Sequence, residues 1–129
     1  MKRLLTITAI FEGITGLALL SIPSLFVMLL LGDKLVEPGG IMIGRLAGVA
    51  LVTLSIICWF YQKVPDASVI VRAMLLYNVA ASALLVYASL IGFSGLGLWP
   101  AILLHIGLAL WCIQSLKKNN YFNNKEVQK

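Results

Sequence analysis

The stretch LLTITAIFEGITGLALLSIPSLFVMLLL, Leu4 to Leu31, runs 28 residues with one charged side chain, Glu12. As a single helix it would be about 42 Å long, against a hydrocarbon core of about 30 Å. Pro23 has no backbone N–H and disfavours helical geometry at the residue before it, so the segment should break there. This predicts a first membrane span over about 4–22. A short helix from Pro23 to Leu31 should then lie at the interface or fold back along the bundle.

Reading onward, Gly32 to Gly40 is a loop, with Asp33, Lys34, Glu37 and the turn-forming Pro38-Gly39-Gly40. The second span, about 41–61, ends in Trp59-Phe60-Tyr61, an aromatic group suited to headgroup level. A polar turn containing Pro65 and Asp66 leads to the third span, about 69–91. The uncharged turn Gly92–Leu98 leads to the fourth, about 99–116, with Pro100 in its first turn. Residues 1–116 thus form one transmembrane domain, and 117–129 read as a mobile polar cytoplasmic tail. The expected fold is an all-α integral membrane protein, an antiparallel four-helix bundle with a short interfacial helix after the first span.

Composition agrees. Of 129 residues, 60% are hydrophobic and 12% charged, and the mean hydropathy is +0.98. A soluble domain of this size needs more polar surface. The net charge of +5 does not point to nucleic acid, because the basic residues sit at span ends. Eight of the ten, Lys2, Arg3, Lys63, Arg72, Lys117, Lys118, Lys125 and Lys129, fall on one side of the predicted topology. Only Lys34 and Arg45 fall on the other. The positive-inside rule then puts both ends of the bundle's chain in the cytoplasm, in a bacterial inner membrane. Met1-Lys2-Arg3 before an apolar run resembles a signal peptide, but Glu12 interrupts the apolar region and no small-x-small site follows, so a retained helix is expected. Cys58 and Cys112 lie inside apolar spans and form no redox or metal spacing.

Each span carries one strongly polar residue: Glu12, Arg45, Asn78 and His105. A charge at the bilayer centre costs roughly 2.5–3.5 kcal/mol even on insertion scales, so such side chains turn inward and find partners. Helical rise places Glu12 and Asn78 about 12 and 13 Å from one end of their spans, with His105 and Arg45 about 9 and 6 Å from the other. Small and hydroxylated residues flank each of them at helical spacing: Thr8, Thr15 and Gly16 for Glu12, and Gly48, Val52 and Ser55 for Arg45. Ala81 and Ser82 flank Asn78, and Ala101, Ala109 and Cys112 flank His105. Membrane helix contacts select such neighbours, which predicts that all four polar side chains meet in one buried cluster, with Glu12 and Arg45 coupled. The cluster reads either as a binding site or as a device fixing helix registry. Tyr77 and Tyr87 read as packing residues. Gly44-x-x-x-Gly48 reads as close packing within the bundle or as a dimer seam. Phe11-Glu12 and Tyr77-Asn78 hint at a repeat of the two halves.

The motifs Arg45-Leu-Ala-Gly48, Cys58-Trp59, Tyr77-Asn78 and Trp99-Pro100 leading to His105 resemble small bacterial four-span membrane proteins, at the level of size and topology the DoxX-like group. That resemblance covers nearly the whole chain. It implies a link to quinol or thiosulfate oxidation, through a quinone or a partner oxidase, and carries no catalytic residue across.

The functional expectation is therefore a small membrane protein that binds an apolar or amphipathic molecule, a lipid or a quinone, between its helices. The alternatives are an accessory subunit whose cluster is structural, a proton-coupled carrier, or an intramembrane enzyme. No residue pattern specifies a reaction, a cofactor or a metal site. Expected partners are the bilayer, a lipid or quinone, and a membrane protein or second copy, with no nucleic acid.

Overall fold

A computed structural model of the chain describes residues 1–127, with side chains described through residue 119. The elements are α1 (Lys2–Ser21), α2 (Pro23–Leu31), α3 (Pro38–Tyr61), α4 (Ser68–Leu90) and α5 (Leu98–Val127). The fold is all helical, and four of the helices, all but α2, are long and apolar enough to cross a membrane. This makes the chain a multi-pass membrane protein. Many large apolar side chains on these helices face outward, among them Ile14, Leu46, Leu76, Leu84 and Leu103. In water that surface would be a liability, whereas against lipid tails it costs nothing.

The break before Pro23 falls where the proline requires it. Ile22 adopts φ −136° and ψ 54°, outside the helical region. Its N–H closes α1 on the Ala18 carbonyl, and its own carbonyl opens α2 by accepting from Phe26. The nine-residue α2 is far too short to span and packs against α1, α3 and α5. Gly32 ends it at φ 85°, a left-handed cap that suits glycine. Two carbonyls of its last turn, Leu29 and Leu31, accept bonds from the Gly97 and Ser94 N–H groups in the α4–α5 turn. Gly95 lies against the Leu30 backbone, where a Cβ would come within 2.3 Å of the carbonyl carbon. The turn is thereby tied to α2, and no larger residue fits between them.

Helix α5 does not stop near Leu116, as the apolar pattern suggested, but continues to Val127. The segment from Lys117 to Val127 holds neither proline nor glycine. A helix already nucleated by its spanning part adds one hydrogen bond for each further residue, so polarity alone does not end it. Hydropathy marked where the span ends, and the helix runs past that point.

The bundle is built from two helix pairs, α1 with α3 and α4 with α5. The first is a backbone-to-backbone contact. A Cβ on Gly16 would sit 2.8 Å from the Gly48 carbonyl oxygen, and one on Gly48 would sit 2.7 Å from that of Gly16. Two turns away, Ser55 Oγ donates to the Ala9 carbonyl at 2.6 Å. Gly44 packs on Pro23 and Leu35, so both glycines of the Gly44-x-x-x-Gly48 motif are spent inside the chain.

One apolar cluster joins the four long helices in one half of the bundle, while in the other half burial continues on α1 and α5, at Leu19, Ile102 and Leu98, but not on α4. The cluster comprises Leu4, Leu5 and Ala9 of α1, Cys58 of α3, Ala67 before α4, Val71 and Met74 of α4, and Leu108 and Cys112 of α5. These residues lie in the half that contains the start of α1 and the last spanning turns of α5. In α4 the buried positions are Val71, Met74 and Asn78, and none follows in its remaining three turns.

Candidate functional site

Three of the four polar residues come together at the level where α4 leaves the packed core. Glu12 of α1 is 3% exposed and Asn78 of α4 is 0% exposed. Asn78 Nδ2 donates to the Met74 carbonyl on its own helix at 2.7 Å, which fixes the amide and turns Oδ1 toward α5. There Oδ1 lies 2.8 Å from His105 Nδ1. Since Oδ1 can only accept, Nδ1 carries the proton, and in the neutral ring Nε2 is left as an acceptor. The Asn78 carbonyl also accepts from Ser82 Oγ at 2.7 Å.

Tyr77 joins this α4–α5 pair to α1. Its hydroxyl donates to Glu12 Oε2 at 3.1 Å, and its ring meets that of His105 edge to face, with centroids 5.7 Å apart and planes at 77°. Favourable aromatic pairs have this geometry. The network therefore reads Glu12, Tyr77, His105, Asn78, across three helices. One turn from Glu12 on the same helical stripe, Thr8 Oγ1 is buried with no hydrogen-bond partner among the described residues. An unsatisfied buried hydroxyl costs roughly 1–3 kcal/mol.

Arg45 does not belong to the cluster, and the expected Glu12–Arg45 pair is replaced by the Glu12–Tyr77 bond. Arg45 is exposed and borders an apolar hollow of about 300 Å³ with Ile22, Pro23, Ser24, Leu25 and Ile41. The reason lies one residue earlier. The inner line of α3 is drawn by Gly44, Gly48 and Cys58, because only glycine lets α1 come so close. Arg45 follows Gly44 by one position, about 100° round the helix, and faces out. Near a span end its long stem can carry the guanidinium to the headgroups, which removes the need for an internal partner.

Tyr77, read from the sequence as a packing residue, is the link that was missed. The available signal was its depth: it directly precedes Asn78, and its hydroxyl can reach a carboxylate placed at the same level. The apparent repeat does not extend to side-chain roles, since Phe11 is exposed while Tyr77 turns inward, and Arg45 faces out while His105 turns in. Among the described residues, no three His, Cys, Asp or Glu side chains are grouped so as to hold a metal ion.

The arrangement offers a carboxyl group, an imidazole nitrogen and a hydroxyl around one point in the middle of an apolar bundle. No family model, curated protein or solved structure matches the chain. The chemistry of these residues therefore carries the functional argument.

Proposed function

We propose that the bundle binds a small amphipathic molecule, a lipid or a quinone, with its polar head at the Glu12–Tyr77–His105–Asn78 network and its apolar part among the helices. The observation that carries this reading is the position of the network at the level where α4 leaves the packed core. On one side lie Leu5, Met74 and Cys112, fully buried. On the other, α4 continues for three turns without a buried residue, so a ligand can enter beside it without dismantling the core. Binding sites of this kind are apolar with a few convergent polar groups, and intramembrane ionisable residues mark them by default. His105 Nε2 can accept a hydrogen bond from a ligand hydroxyl. The distribution of basic residues supports a bacterial inner-membrane setting, with the start of α1 and the end of α5 in the cytoplasm.

Native mass spectrometry of gently solubilised protein tests the reading directly. The expected result is a co-purifying lipid or quinone in stoichiometric amount, lost in His105→Ala with little change in thermal stability. A stoichiometric protein partner without such a ligand would instead favour an accessory subunit. A parallel fall of stability and binding in His105→Ala would make the network scaffolding.

A further inference from the structure

A second site lies at the far end of the bundle, where α1 begins beside the last spanning turns of α5. A cavity of about 520 Å³ opens there, lined by Lys2, Arg3 and Leu4 of α1 and by Trp111, Ser115 and Lys118 of α5, among others. Among the described residues, three cationic side chains from two helices converge on it and no acidic one lines it. Its floor is apolar, since Leu4 belongs to the core, and the half-buried Trp111 packs against that core. Helix α5 runs on past this level to Val127, so one side of the hollow is a helical wall standing beyond the start of α1.

Basic residues at a span end are common, and most act only as topology signals. Here the arrangement is more specific than the charge count. Lys63 and Arg72 lie at the same end of the bundle, and Lys117 is the immediate neighbour of Lys118, yet none of them lines the cavity. A concave site with low-dielectric walls concentrates the field of its charges and draws in counter-ions. Arg3 can bind phosphate oxygens in a forked geometry, whereas Lys2 and Lys118 act as mobile point charges. Ser115 adds a neutral hydroxyl. Trp111, two turns before Lys118, adds an indole to the apolar side of the cavity.

We infer that this cavity binds a phosphate group, as presented by the headgroup of an anionic phospholipid in the adjoining leaflet. The phosphate sits among Lys2, Arg3 and Lys118, and the acyl chains descend along the outer apolar surface of α1 and α5. The site is independent of the mid-membrane network and stands or falls separately from the function proposed for it.

The test uses the full chain in a neutral detergent, titrated with phosphatidylglycerol or phosphatidylcholine and read by native mass spectrometry. Wild type should retain one phosphatidylglycerol per chain in preference to phosphatidylcholine. The double variant Arg3→Ala/Lys118→Ala should lower the retained fraction by about tenfold, the equivalent of about 1.4 kcal/mol. The double variant Lys63→Ala/Lys117→Ala removes the same charge outside the cavity and should change retention by less than about twofold. Phosphatidylglycerol should also raise the Tm of wild type and of the second variant, but not of the first, which separates lost binding from lost folding. Excess inorganic phosphate distinguishes the source: failure to displace the lipid assigns the site to a headgroup, and displacement assigns it to the phosphate group alone. Equal loss in the two double variants, or no preference for the anionic lipid, would overturn the assignment.

Discussion

The pairs α1–α3 and α4–α5 are the same topological unit used twice, yet they are held together by different means. The α1–α3 seam is a glycine contact, in which Gly16 and Gly48 bring the two backbones within touching distance. The α4–α5 seam carries a polar bond at mid-depth, from His105 Nδ1 to Asn78 Oδ1 at 2.8 Å. This contrast locates the part of the molecule that can change. Where the two backbones touch at the glycines, the seam offers a ligand no polar side chain and cannot loosen by a rotamer change. A seam closed by an amide and an imidazole can exchange one hydrogen-bond partner for another at small cost. Tyr77 reaches from the second pair to the first and makes Glu12 part of the exchangeable network.

The largest test of this contrast is Gly48→Val. Its Cβ would lie 2.7 Å from the Gly16 carbonyl oxygen and 2.9 Å from the Leu20 nitrogen, both backbone atoms that cannot turn aside. Destabilisation by about 3 kcal/mol is expected, the upper part of the usual overpacking range, read as loss of folded protein in detergent unfolding. A tolerated valine would mean the helices can part at this seam, and the contrast would be gone.

The polar network should respond more mildly. Tyr77→Phe removes one interhelical hydrogen bond, and such bonds contribute about 0.6 kcal/mol in membranes. A double-mutant cycle with Glu12→Gln should show that the two side chains are coupled. The corresponding cycle between Glu12→Gln and Arg45→Gln should be additive, because Arg45 faces away from the network. Coupling between Glu12 and Arg45 would bring the arginine back into the cluster and break the proposed division between the helix pairs.

The smallest expected effect lies outside the membrane, at the start of α4. Asp66 Oδ1 accepts from the Ser68 N–H at 3.0 Å, and that bond holds its carboxyl below the ordinary carboxylate range. The sign follows from linkage: the ionised form is favoured in the folded state. Its contribution is therefore whole above the ordinary value of 3.8 and is lost as the pH falls through the lowered folded value. Asp66→Ala should lower the Tm slightly at about pH 7 and converge with wild type at about pH 3. Asp66 is fully exposed, so a difference as large as that at Gly48 would be unexpected. It would point to a role at the end of the bundle that the hydrogen bond does not explain.

Much of the architecture was legible in the order of residues. Runs of about 20 apolar residues, Pro23, the Pro38-Gly39-Gly40 turn and the glycines from Gly92 to Gly97 specify four spans and a short second helix, because span length and proline geometry are local properties. The end of α5 was not legible in this way. Hydropathy reports where a helix leaves the bilayer, whereas the helix itself stops only where something interrupts its hydrogen bonds.

The site divides along the same line. That Glu12, Asn78 and His105 turn inward follows from the cost of placing polar groups against lipid, which each helix incurs by itself. That Arg45 turns out, and that Tyr77 takes its place beside Glu12, follows from helix rotation. Rotation of α3 is fixed by the contact of Gly48 with Gly16, a relation between residues of two different helices. Which residues are too polar for lipid, and which segments cross it, can be read from the residue order alone. Which polar residues meet depends on helix packing, because the closest approach of the backbones sets each helix's rotation and the side chains must follow it.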